Sequence, residues 1–241
     1  MRGAHAAFGV LVLMLAASWT CASAQGPRPA AAPAFGTQPQ VVFAFQRQGL
    51  SVPRYRFTIH NDGSAVYEGD ALPVAIEHGA PAAGPAQPFR SEVNITPATA
   101  DRIFALGRKL DRFNIECASK AKNIADTGTK TLSYTAADGA GSCTYNYSEN
   151  KDVQALTEIF LGIAETMDEG RELDFLRRYD RLGLDDAMTF LAQEVSAGRA
   201  LEVGTIAASL RSIADDADVM QRVRARARTL LALVPADGEA R

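Results

Sequence analysis

Residues 53–69 read PRYRFTIHNDGSAVYEG, and this stretch decides the fold class. Tyr55, Phe57 and Ile59 alternate with Arg54, Arg56, Thr58 and His60, the period of two expected of a strand with one buried and one wet face. Asn61-Asp62-Gly63 interrupts the pattern, and extended character resumes from Ser64 to Glu68. Glycine accepts the positive φ that a tight turn needs, so the segment reads as a β-hairpin. It fails as a calcium loop, because it lacks the alternating oxygen ligands and closing Glu of an EF-hand.

Working outward, Val41-Val42-Phe43-Ala44-Phe45 is a β-prone run before the hairpin. After it, Gly79 to Pro88 is a Pro/Ala/Gly loop, and Phe89, Ser91, Val93 and Ile95 alternate with Arg90, Glu92, Asn94 and Thr96. Thr96-Pro97 starts a helix, with Thr96 as N-cap and Pro97 at the first helical position. Ile103, Leu106, Leu110 and Phe113 share one face of it. Strands are expected at Thr131–Ala136 and Ser142–Ser148, joined through Asp138-Gly139, with Leu132, Tyr134, Cys143, Tyr145 and Tyr147 facing the core.

From Asp152 the apolar period changes from two to 3.6. Val153, Leu156, Ile159, Phe160, Ile163 and Met167 form one helical face, and Leu173, Leu176 and Tyr179 a second helix after Gly170. Asp185 caps a third helix, carrying Met188, Leu191 and Val195 and stopped at Gly198. Ile206, Leu210 and Ile213 mark a fourth, and Val219, Val223, Leu230 and Leu231 the last. Short connections predict antiparallel neighbours. The fold class is therefore α+β: an antiparallel sheet with a packed helix, followed by a small all-α tail.

The first residues have a different character. Arg2, the apolar stretch Ala6 to Ala17 and Ala22-Ser23-Ala24 match a secretory signal cut before Gln25. The alternative is a lipoprotein acylated at Cys21, but Ser18 and Thr20 do not suit that motif. The expected organisation is a signal peptide over 1–24, a flexible Pro/Ala-rich linker over 25–40, an α+β domain over 41–167 and a helical domain over 170–235. Loss of the signal leaves Cys117 and Cys143, an even count that reads as one structural disulfide. On the chain-entropy view such a bridge contributes about 3 kcal/mol. His60 and His78 pair with neither cysteine at zinc spacing. A net charge of −3 implies no general pull toward nucleic acid or an anionic membrane. No segment after the signal is apolar for long enough to span a bilayer.

The only stretch resembling a catalytic signature is Asp126-Thr127-Gly128. Aspartic peptidases need two carboxylates sharing a proton, in a site buried behind an apolar strand. Here the triplet follows Ala118-Ser119-Lys120-Ala121-Lys122-Asn123, which is polar and basic, and no second copy exists. Asp126 is read as a capping or turn residue, with Gly128 allowing a bend into the strand. The acidic runs Asp185-Asp186 and Asp215-Asp216-Ala217-Asp218 are read as helix starts. Arg222, Arg224, Arg226 and Arg228, fanned around a helix, are read as a solvated face. No residue is assigned a catalytic, cofactor-binding or metal-ligating role.

With Pro53, Tyr55, Ile59, Asp62, Gly63, Tyr67 and Gly69 in place, the chain resembles a bacterial family of secreted or envelope-attached domains without an assigned function. The hallmark is Pro-x-Tyr-x-x-x-Ile-x-x-Asp-Gly-x-x-x-Tyr-x-Gly. Leu106, Leu110 and Phe113 match the family's helix, and Asp126 with Thr131 its later loop and strand. The resemblance covers roughly Val41 to Met167. Two features depart from it: the cysteines are Cys117 and Cys143 rather than a pair before the Pro-x-Tyr, and 79–88 is an insert. The resemblance implies a fold and an exported location. The expected function is a non-enzymatic binding module of the cell envelope or extracellular space, partnered by another protein there and using no cofactor. The alternative is a carboxylate-dependent hydrolase using Asp126 in the manner of an aspartic peptidase.

Overall fold

Six strands pair into one fully antiparallel sheet in the order β4-β3-β2-β1-β5-β6. They are β1 (Gln40–Gln46), β2 (Arg54–His60), β3 (Ser64–Ala71), β4 (Gln87–Asn94), β5 (Thr129–Ala136) and β6 (Gly139–Tyr145). The computed structural model describes residues 38–73 and 84–235. The expected signal peptide, Cys21, most of the linker, His78 and the first part of the 79–88 loop lie outside them. The hairpin of the opening stretch forms as read: Gly63 sits at φ 85°, and its N–H donates to the His60 carbonyl at 3.0 Å.

Helix α1 (Pro97–Lys109) carries the chain from the β4 edge back past β1, where β5 pairs. Its cap is Thr96, as expected, and Pro97 opens its first turn. The helix stops at Lys109, however, and Phe113 is not on it. Asp111, Arg112 and Phe113 follow with positive φ values of 48°, 56° and 67°. This left-handed turn, unfavourable for side-chain-bearing residues, swings Phe113 into a fully buried position. Burial of the ring, about 2–3 kcal/mol, offsets part of that cost.

Helix α2 spans Lys151–Tyr179, followed by α3 (Gly183–Ser196), α4 (Ala207–Asp215) and α5 (Gln221–Leu231). The break expected at Gly170 is absent. Gly170 lies inside one 29-residue helix, where a Cβ would come within 2.4 Å of an Ile206 methyl. Its smallness serves a close approach rather than a helix end. Gly162, eight residues earlier, plays the same part: a Cβ there would lie 2.8 Å from the Arg199 carbonyl. Both glycines face the segment that connects α3 to α4.

The first half of α2 lies across the buried face of the sheet. The Thr157 hydroxyl meets that of Tyr145 on β6 at 2.6 Å, Phe160 stacks on Phe43 of β1, and Asp168 accepts from Tyr67 of β3. The opposite sheet face is polar, with Thr131–Thr144 and Ser133–Ser142 hydroxyl pairs. Buried apolar residues fall into two clusters, one ending at Met167 and the other beginning at Leu173. The helix itself runs through both.

The connecting segment ties the tail to the sheet domain. Leu201 N–H donates to the Gly162 carbonyl at 3.0 Å, and Thr166 Oγ1 donates to the Leu201 carbonyl at 2.6 Å. Glu202, at φ 57°, accepts from Thr96 N–H at 2.8 Å and Thr96 Oγ1 at 2.7 Å, and from the Thr99 hydroxyl. A carboxylate distant in sequence thus supplements the α1 N-cap, where orphan N–H groups and the helix dipole favour negative charge.

Candidate functional site

A cleft of about 690 Å³ opens where the ends of β1, β2 and β6 face the first half of α2. Phe45, Tyr55 and Tyr145 come from the sheet, Leu50 and Val52 from the β1–β2 loop, and Tyr147 from the loop after β6. Tyr147 was expected to continue the core face of a strand. Strand β6 ends at Tyr145, and Tyr147 stands 41% exposed at the rim. Across from the sheet, α2 contributes Glu158, Leu161, Glu165 and Asp168.

Lys130 lies at the sheet side of this cleft, on the inward phase of β5 with Leu132 and Tyr134, and is only 5% exposed. Its ammonium faces four oxygens at 2.9–3.0 Å: the Thr127 carbonyl and hydroxyl and the Gly128 and Asn146 carbonyls. It also sits 5.5 Å from the Phe45 ring centroid and 6.0 Å from that of Tyr145, within cation–π range. Burial, reinforced by Arg47, holds the amine below its usual range, and Asp126 opposes the shift. An ammonium has three protons to donate, so this one is fully engaged.

Thr127 and Gly128 of the Asp-Thr-Gly stretch supply three of the four oxygens of this cage. Asp126 is exposed, and its Oδ1 accepts the Gly128 N–H at 2.8 Å, closing an Asx turn. Thr127 is fastened to Asn146 by its N–H at 2.8 Å and by its hydroxyl to the Asn146 carbonyl at 2.6 Å. Among the described residues no hydrogen bond joins Asp126 to a second acidic group. The geometry is that of a turn residue.

The α2 wall is acidic and electrostatically crowded. Asp168 Oδ1 accepts from Tyr67 Oη and from Arg171, both at 2.8 Å. Burial nevertheless raises the Asp168 carboxyl above its usual range, with Arg171 and Tyr67 opposing. Glu165 is raised by burial, then by Asp168, Glu194 and Glu172, while Arg199 opposes. Glu169, one residue further round the helix, is pushed up to about 8 by burial and then by Glu172, Glu165, Asp168 and Glu194. Tyr55 and Tyr67 are raised beyond the normal phenol range, first by burial and then by Asp168.

The other residues singled out in the sequence lie elsewhere. Cys117 and Cys143 are joined, with Cα atoms 5.8 Å apart, tying the segment after α1 to β6. His60 is half-buried at the end of β2, away from the cleft-lining residues. Asp185 lies in the first turn of α3 and does not cap it; Asp180 accepts from Leu182 and Gly183 N–H groups there instead. Asp215 ends α4, and Asp216 and Asp218 lie in the loop beyond, so this run is not a helix start. Arg177 and Arg181 lie 3.4 and 3.5 Å from Asp216 and Asp218 respectively, which compensates the misplaced charge. The α5 arginines are solvated as read, but they are also engaged: Arg222 and Arg226 both hold Asp185, and Arg228 donates to the Ala214 carbonyl.

Lys130 and the α2 carboxylates were missed, yet both left signals. A lysine on the apolar phase of a strand needs a buried partner. Glu158, Leu161, Glu165 and Asp168 recur at three, four and three residues, one face of a helix. A second hollow, of about 420 Å³, lies on the polar sheet face, where Arg54 pairs with Asp70 and Glu68 with Arg90. No helix among the described residues is long and apolar enough to cross a membrane. Compared with known proteins, the chain matches no family model and no curated sequence.

Proposed function

We propose that this is an exported, non-enzymatic binding module of the cell envelope or extracellular space that receives another protein in the cleft beside α2. One observation carries the reading. The cleft offers aromatic and aliphatic surface at Phe45, Tyr55, Tyr147 and Leu161, while its buried amine, Lys130, is already engaged by protein oxygens. A concavity with an aromatic floor and a polar, acidic wall suits recognition, and Lys130 serves it by holding the rim loop in place. The Cys117–Cys143 bridge and the signal-like first residues support export.

A carboxylate-dependent hydrolase is the second reading, favoured by Glu165 and Asp168 sharing one wall with raised pKa values. Against it, Asp168 is already bonded to Tyr67 and Arg171. Acid–base pairs work when the environment drives the two groups apart, whereas here burial moves both the same way. Tagged protein spanning residues 25–241, incubated with its own envelope extract, separates the two readings. The binding reading expects salt-tolerant recovery of one partner and no turnover. Turnover that disappears in Glu165→Gln, without a stable partner, would establish the hydrolase instead.

A further inference from the structure

We propose that the cleft takes the lysine or arginine side chain of a partner polypeptide, its apolar stem against Phe45 and Tyr55 and its cationic head between Glu165 and Asp168. The inference rests on the cleft being the binding site and names what enters it. Long basic side chains lay their methylenes on apolar surface and offer the charge at the tip, which matches an aromatic floor meeting an acidic wall. Glu165 accepts no hydrogen bond among the described residues, and Asp168, whose Oδ1 serves Tyr67 and Arg171, keeps Oδ2 for the guest.

Tyr55 supplies an independent pointer. It is 5% exposed and lines the cleft, yet no described residue hydrogen-bonds its hydroxyl, whereas the Tyr67 and Tyr145 hydroxyls are bonded to Asp168 and Thr157. Tyr55 lines the same cleft as Glu165 and Asp168, which places it with the acidic wall. The Tyr55 hydroxyl is not sealed from solvent; it opens onto the cleft, where an entering group can bond to it. Glu158, Glu165 and Asp168 outnumber Arg47 and Lys130 among the lining charges, and a tyrosine ring adds to the preference for an organic cation over an anion. Lys130 does not fill the role, since its ammonium is directed at Thr127, Gly128 and Asn146.

The surroundings favour a polypeptide over a free amine. The cleft volume of about 690 Å³ exceeds one alkylammonium group, and its rim exposes Tyr147 and Leu161, at 41% and 36%, for residues flanking the cation to cover. Burying such apolar rim surface contributes affinity that a lone amine cannot gain.

The test is calorimetric titration of the 25–241 protein, at low salt, with N-acetyl-Phe-Lys-amide. The same dipeptide with norleucine for lysine, and n-butylamine, are the comparison probes. The lysine dipeptide is expected to bind at least about tenfold more tightly than the norleucine one, and the preference to vanish in Glu165→Gln/Asp168→Asn. Thermal unfolding of that variant checks that it is folded, and a preserved preference in the folded variant overturns the assignment. Equal binding of the two dipeptides overturns the cation and leaves a merely apolar cleft. Equal binding of n-butylamine and the lysine dipeptide overturns the polypeptide source. Failure of both dipeptides to bind, while Leu161→Arg still abolishes partner recovery, overturns the basic side chain but not the cleft.

Discussion

Glu169 offers the sharpest test of the electrostatic picture, because its predicted effect depends on pH. Its carboxyl is displaced from 4.5 to about 8 in the folded protein by burial and by four neighbouring carboxylates. Below pH 4.5 the group is protonated in both folded and unfolded chains, so it makes no difference to stability. Between 4.5 and 8 the unfolded chain ionises while the folded one resists, and stability falls as pH rises; above 8 the loss is complete. Unscreened, this displacement corresponds to roughly 4–5 kcal/mol. Glu169 is only partly buried, and solvent screening reduces the figure to about 1–2 kcal/mol. Glu169→Gln keeps the shape and removes the charge. Urea unfolding should find the variant equal to the parent at pH 4 and more stable by about 1–2 kcal/mol at pH 9. Equal stability at pH 9, or destabilisation there, would refute the crowded-carboxylate argument.

Two further substitutions probe the join between the sheet and the tail. Gly162→Ala should gain about 1 kcal/mol of helix propensity and lose about 2–3 kcal/mol from overpacking against the Arg199 carbonyl and Leu201. The net expectation is destabilisation by about 1–2 kcal/mol in urea, and a stabilised variant would show that the segment does not approach α2 closely. Glu202→Ala should cost about 1–3 kcal/mol, since Thr96 N–H and two hydroxyls lose their acceptor. Amide exchange should accelerate in the first turn of α1, and unchanged exchange at Thr96 would contradict the cap.

The architecture of the sheet was legible because its strands alternate cleanly. Tyr55, Phe57 and Ile59 all face the core, as their period of two requires. The Thr96-Pro97 helix start and the Cys117–Cys143 pairing rest on similarly local or countable signals. What the sequence concealed depends on distant contacts. Gly170 looks like a helix end until Ile206 is placed against it, and Phe113 fits a helical face until the chain turns left-handed at Asp111. The pairing of Arg222 and Arg226 with Asp185 is hidden because that partner lies in another helix. The same holds at the cleft. Asp126 drew attention through a three-residue motif, whereas Lys130, two residues beyond it, is the buried one. Its acceptors include Asn146, on a loop that only the β5–β6 pairing brings near.

The most direct test of the cleft as the binding site is site-specific photo-crosslinking in envelope extract. A photoreactive benzoylphenylalanine is placed at Leu161 on the cleft wall or, as a control, at Thr144 on the open polar face of the sheet. One discrete partner adduct is expected from position 161 and none from position 144. An adduct from position 144 alone would contradict this and move the interaction to the opposite face of the sheet.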